Sequence, residues 1–132
     1  MTQPKVVFGN AYIEGASRGG WFIGHFIASD DEPRSTSALE VKWGIHKAGD
    51  SRTQWGINIE AITLSILVKG RFRLQFPDGQ EFLLSEEGDY VLWCPGLPHG
   101  WFAESDCTIV TVRWPSKPED SIEIPARQVT EE

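Results

Sequence analysis

Methionine occurs once, cysteine twice and histidine three times in this chain of 132 residues. Two cysteines, Cys94 and Cys107, cannot form the framework of a disulfide-built domain. They read as free thiols of a reducing compartment, the cytoplasm, although pairing stays open if their strands are neighbours. Three histidines (His25, His46 and His99) leave little for a histidine-rich metal centre. Basic residues are also scarce: 12 Lys and Arg stand against 19 Asp and Glu, a formal charge of -7. A nucleic-acid binder needs a basic footprint, and so does a protein docking on anionic lipid, so neither partner is expected. No long apolar run exists. The richest, Ala61 to Val68, is far short of the roughly 20 residues that span a bilayer, and Met1 to Gly15 shows no charged-then-apolar leader. Helical periodicity is nearly absent, and so is any repeat of about 20 to 50 residues.

What remains is punctuation and short β-rich runs. Thirteen glycines and eight prolines divide the chain into segments of Val, Ile, Phe, Trp and Thr, the pattern of a single all-β domain. Lys5 to Tyr12 and Trp21 to Ala28 read as an N-terminal strand pair, and Ser29 to Ser37 as a loop. Leu39 to His46 alternates Leu39, Val41, Trp43 and Ile45 against Glu40, Lys42, Gly44 and His46, giving one apolar face. A short strand near Trp55 to Ile59 follows, then a strong one, Ile62 to Val68. Arg71 to Phe76 and Glu81 to Leu84 flank Asp78-Gly79, a tight-hairpin signal. Asp89 to Trp93, Trp101 to Ala103 and Thr108 to Trp114 complete the set. The expected organisation is 1–38 as N-terminal strands and loop packing on a barrel, 39–114 as the barrel, and 115–132 as a polar tail, either a loose end or an arm laid on a partner. In Ile62 to Val68, Ile62, Leu64, Ile66 and Val68 share one face while Thr63, Ser65 and Leu67 share the other. Alternation alone does not say which face looks inward. If the Thr63 face lines a cavity, the Ile62 face needs cover from another sheet or another subunit.

One segment carries a resemblance. Gly88-Asp89-Tyr90-Val91-Leu92-Trp93-Cys94-Pro95-Gly96-Leu97-Pro98-His99 is similar to the second signature of the cupin superfamily: Gly-Asp opens a strand, Pro-Gly turns the chain, and a His follows. Pro95-Gly96 pre-sets the reversal, which would aim His99 into the space a barrel encloses. The resemblance covers roughly 39–114 and implies a double-stranded β-helix, a cupin jelly-roll barrel with a pocket at one mouth, commonly in a dimer. In metal-binding cupins the upstream signature holds two His and a Glu. Gly56 and Asn58 stand where those His would be, and Thr63 stands where the Glu would be. The chain also resembles small bacterial cupins sometimes labelled signal peptidase I, a chemistry that needs a membrane anchor and a paired Ser and Lys; no anchor is visible.

His99 is therefore the expected titratable group of the site, as base, hydrogen-bond donor or acid/base catalyst, against the alternative of a turn histidine satisfied by backbone. Asn58, Thr63 and Ser65 would supply hydrogen bonds. Trp55, Trp101 and Trp43 would form an aromatic wall, while Trp93 and Trp114 read as core. His46 shares parity with Lys42 and is expected to point outward. His25 has the parity of Trp21 and Ile23 and is expected inward. Lys42, Lys47 and Arg52 read as surface charges, with attraction of a carboxylate as the alternative. Cys94 reads as an inert thiol rather than a nucleophile. These residues imply a cytoplasmic homodimer that binds a small organic ligand, with no tightly held metal and no other cofactor. The alternative is a metal-dependent dioxygenase or isomerase with nonstandard ligands (His99 with His25, His46 or Glu60, holding a divalent transition metal). A third alternative is a scaffold without a ligand.

Overall fold

The computed structural model describes residues 5–28 and 32–126. Its strands are β1 (Trp21–Ile23), β2 (Glu40–His46), β3 (Gln54–Asn58), β4 (Ile62–Lys69), β5 (Phe72–Gln75), β6 (Glu81–Leu84), β7 (Tyr90–Trp93), β8 (Gly100–Ala103), β9 (Cys107–Trp114) and β10 (Ser121–Ala126). The larger sheet has the order β1-β2-β9-β4-β7, a smaller one β6-β5-β8, and β10 pairs with β3. Every pairing within the sheets is antiparallel. The bridges Ser51 to Phe102 and Gly56 to His99 tie the β3 region to β8.

Alternation decides what meets between the sheets. On β4, Thr63, Ser65 and Leu67 are buried, while Ile62, Leu64, Ile66 and Val68 are half-buried on the outer face. The Thr63 face is thus the inner one. One end of the interior is a packed core of Leu67, Phe72, Leu74, Phe76, Leu84, Trp93, Ala103, Cys107 and Ile109. Each large apolar side chain buried there contributes about 1.5–3 kcal/mol relative to exposure. The Asp78-Gly79 hairpin forms as expected: both residues are left-handed (φ 68° and 74°), and the Phe76 N–H donates to the Gln80 carbonyl at 2.8 Å.

The ends differ from expectation. Lys5 to Tyr12 is not a strand. Residues 5–10 carry no regular structure, and Ala11–Gly15 is a short helix, α1. Asn10 caps it, its side chain accepting from the Ile13 N–H at 3.0 Å, a local bond that competes with strand pairing. The expected strand from Trp21 to Ala28 ends at Ile23, where Gly24 departs with φ 152°. Nor is the segment after Pro115 a loose end. Buried Asp120 accepts from the Glu60 N–H (2.7 Å), the Ala61 N–H (3.2 Å) and Asn58 Nδ2 (3.2 Å). These bonds dock β10 against β3 of the same chain. Residues 29–31 and 127–132 of the expected loop and tail lie outside the described residues.

Candidate functional site

The inner face of the larger sheet is laid out in cross-strand rows. Glu40, Arg113, Thr63 and Trp93 form one row; Trp21, Lys42, Thr111, Ser65 and Val91 the next; then Gly44, Ile109 and Leu67; then His46 and Cys107. The first two rows are polar and cationic, and the third is apolar. Between them and the smaller sheet lies a cavity of about 60 Å³, whose wall includes His46, Arg52, Phe72, Leu74, His99 and Trp101 in addition to residues of those rows. That volume corresponds to roughly four to six water-sized particles.

His99 is placed by backbone. Its N–H donates to the Gly56 carbonyl, and the Gly56 N–H returns the bond to its carbonyl, both at 2.9 Å. Gly96 (φ 84°) makes the preceding turn. The side chain is 3% exposed and its ring lies 4.9 Å from that of Trp93. Nδ1 stands 3.3 Å from the Leu97 carbonyl. A proton assigned to Nδ1 donates there and leaves Nε2 as an acceptor. Burial lowers the His99 pKa to about 4; the Leu97 carbonyl opposes the shift, and Arg113 and Arg52 add to it. His46 also falls to about 4, through burial and Lys42, with Asp50 opposing. Both imidazoles are neutral at pH 7.

The cations are concentrated at the polar end. Burial, then Arg113 and Arg52, lower the Lys42 pKa to about 8. Arg113 is lowered by burial, against the pull of Glu40. Trp21 covers both, its ring centre 4.7 Å from the Arg113 guanidinium carbon and 5.8 Å from Lys42 Nζ.

Of the residues marked by sequence, His99, Thr63, Ser65 and Trp101 line this cavity; Asn58, Trp55 and Trp43 do not. Asn58 is buried against Asp120, Trp55 lies on β3 beside Gly56, and Trp43 shares the outer face of β2 with Val41 and Ile45. His46 is the main correction. It points inward, its ring 4.3 Å from Trp101 and stacked on Phe72 at 5.2 Å. The face of β2 that reads as polar, and so as solvent-facing, is the face that lines the cavity. His25, expected inward, sits elsewhere: its Nδ1 lies 2.7 Å from Ser116 Oγ, which donates to Glu40 at 2.7 Å. Glu60 pairs with Lys117 at 2.5 Å, outside the cavity. Lys42 and Arg52 are wall residues rather than surface charges, while Lys47 is exposed. Trp21, Thr111 and Arg113 were not marked by sequence. Their only advance signal was position on strands whose inward faces were undecided. Cys94 is an exposed free thiol; Cys107 is buried and its pKa is raised to about 11 by burial, Asp106 and Asp50.

The residues present do not fit the metal that cupins commonly hold. Among the described residues no three His, Cys, Asp or Glu come together. The space above Gly56, where the resemblance places a His, is taken by a guanidinium: a Cβ at Gly56 would stand 2.6 Å from Arg52 Nη1. Thr63, at the place of the Glu, offers only a hydroxyl. Lys42, Arg52 and Arg113 would repel a cation.

No protein-family description and no curated protein matches the sequence. Solved structures do match. An uncharacterized protein with a double-stranded β-helix domain from Klebsiella pneumoniae is 17% identical, covering 70% of this chain and 78% of that one at a TM-score of 0.60. An RmlC-like cupin from Desulfovibrio desulfuricans is 18% identical over 61% and 74%, TM-score 0.54. A salicylate 1,2-dioxygenase variant from Pseudoaminobacter salicylatoxidans is 17% identical over 58% of this chain and 21% of its own, TM-score 0.52. At these identities the likeness speaks for architecture alone. The signature ending at His99, the antiparallel sheets closed around one cavity and these neighbours agree: the chain has the cupin fold, a double-stranded β-helix.

Proposed function

We propose that this protein binds a small organic molecule in the barrel cavity beside His99, and does so without a tightly held metal ion. One observation carries the reading. Thr63 Oγ1, Trp93 Nε1 and Arg113 Nε are buried in residues lining the cavity and have no hydrogen-bond partner among the described residues. Native interiors rarely leave such groups unmatched, and a bound polar molecule would satisfy them. Ser65 and Thr111, bonded to each other at 3.0 Å, add hydroxyls to the same wall. Neutral His99 offers Nε2 as an acceptor to a ligand hydroxyl, and Trp101 supplies an apolar side.

The reading extends to a homodimer formed through the outer face of the larger sheet. Ile45, Tyr90 and Leu92 are 50%, 63% and 49% exposed there. Two free thiols suit the cytoplasm.

Tryptophan fluorescence against a metabolite panel tests the binding, because Trp21, Trp93 and Trp101 line the cavity. A saturable response lost in His99→Gln supports it; silence across the panel rejects it. Elemental analysis of untagged protein tests the metal clause. Near-stoichiometric metal, abolished by His99→Ala, would favour a metal-dependent enzyme such as a dioxygenase instead.

A further inference from the structure

The charges of the cavity wall do not balance. Arg113 meets Glu40 at 3.5 Å and Arg52 meets Glu123 at 3.1 Å. Lys42 has no ion pair among the described residues; its ammonium lies over the Trp21 ring, and Arg113 and Arg52 are the charges that act on it. No Asp or Glu is among the described residues that line the cavity. A chain of net charge -7 has thus placed three of its 12 cations around its own interior. An ammonium half withdrawn from water, with two guanidiniums as the charges that act on it, is costly unless an anion joins it. Arg113 also keeps Nε buried and unpartnered while its Nη1 is held by Glu40, so its hydrogen-bonding capacity is not filled by the described residues.

The other end of the cavity has different chemistry. Phe72, Leu74 and Ile109 are all buried, and Trp101 stacks on Phe72. A bare inorganic oxyanion would satisfy the cations and leave this end unfilled. A molecule with one charged end and a short apolar body matches both.

We infer that the ligand is a small organic carboxylate, its charged end seated between Lys42 and Arg113 and its apolar body directed at Phe72, Leu74 and Ile109. This rests on the cavity being the ligand site, and adds the class of ligand. The volume limits the body to a few carbons, a molecule of about four to six heavy atoms. Binding of so small a ligand falls in the micromolar-to-millimolar range.

The test is calorimetric titration of the full chain at pH 7 with propionate, its neutral isostere propionamide, and inorganic phosphate, each also against Lys42→Met and Lys42→Gln. Propionate should bind at least tenfold more tightly than propionamide and than phosphate. Both variants should lose at least tenfold for propionate while leaving propionamide within about twofold, a drop matching the loss of one charge-assisted contact. Thermal unfolding of the variants confirms that they fold. Propionamide binding as tightly as propionate would overturn the carboxylate assignment and leave ligand binding standing. Phosphate equal to propionate would overturn the organic part. No binding by any probe at tens of millimolar overturns the inference, and the metabolite panel then decides separately whether the cavity binds anything.

Discussion

Removing one buried charge should make this protein more stable, and the gain should vanish at high pH. The perturbation is Lys42→Met, which keeps the chain length of the side chain and deletes the ammonium. The groups facing Lys42 are Trp21 from β1, Thr111 and Arg113 from β9, and Arg52. Its own strand adds Glu40, turned to Arg113, and His46, neutral at pH 7. A pKa lowered from 10.5 to about 8 corresponds to a ceiling of about 3 kcal/mol against the charged form. Lys42 is half-buried by area, so solvent brings the expected gain to about 1–2 kcal/mol. The sign follows from proton counting. Between about pH 8 and 10.5 the unfolded chain holds the Lys42 proton and the folded one does not, so wild-type stability rises with pH there. Cys107 acts oppositely: its raised pKa makes stability fall between about pH 9 and 11. The readout is therefore the difference between variant and wild type, from which Cys107 cancels. Urea unfolding at steps from pH 7 to 10.5 should show Lys42→Met ahead by 1–2 kcal/mol at neutral pH and level with wild type at the top. A difference that stays constant with pH, or a variant less stable at pH 7, would refute the account of Lys42 as an unmatched cation.

Further outcomes follow from the same geometry. The His99 and His46 imidazoles should titrate near pH 4 in NMR spectra; because the unfolded chain takes up these protons first, stability should fall as pH drops from 6.5 to 4, and values near 6.5 would contradict their burial. Asp120→Ala strips acceptors from the Ala61 N–H and Asn58 Nδ2 and should cost about 2–4 kcal/mol in urea unfolding; a loss under about 0.5 kcal/mol would mean β10 is not held by this residue. Leu92→Lys, on the outer face of β7, should convert a dimer to a monomer in sedimentation velocity without lowering ligand affinity; a wild-type monomer at micromolar concentration removes the dimer reading.

Much of the architecture could be read in advance because it rests on local chemistry. Glycine and proline spacing marked most strands, Asp78-Gly79 marked the hairpin, and Pro95-Gly96 marked the turn that delivers His99. The ends could not be read this way. Residues 5–12 read as a strand and 121–126 as part of a polar tail, yet only the second finds a partner edge, β3, and a docking residue, Asp120.

Composition and turn spacing therefore indicated an all-β domain, and the resemblance of Gly88 to His99 to a cupin signature added the barrel, His99 and the lack of the usual upstream metal ligands. Which face of each strand looks inward was decided only when the sheets closed. A hydrophobicity rule assigns apolar faces to the interior, but around a polar cavity it inverts. Lys42, Gly44 and His46 line the hollow, while Trp43 and Ile45 look outward. Alternation preserves the partition of residues between faces and carries no sign; the sign comes from the tertiary contacts that enclose one face and leave the other to solvent.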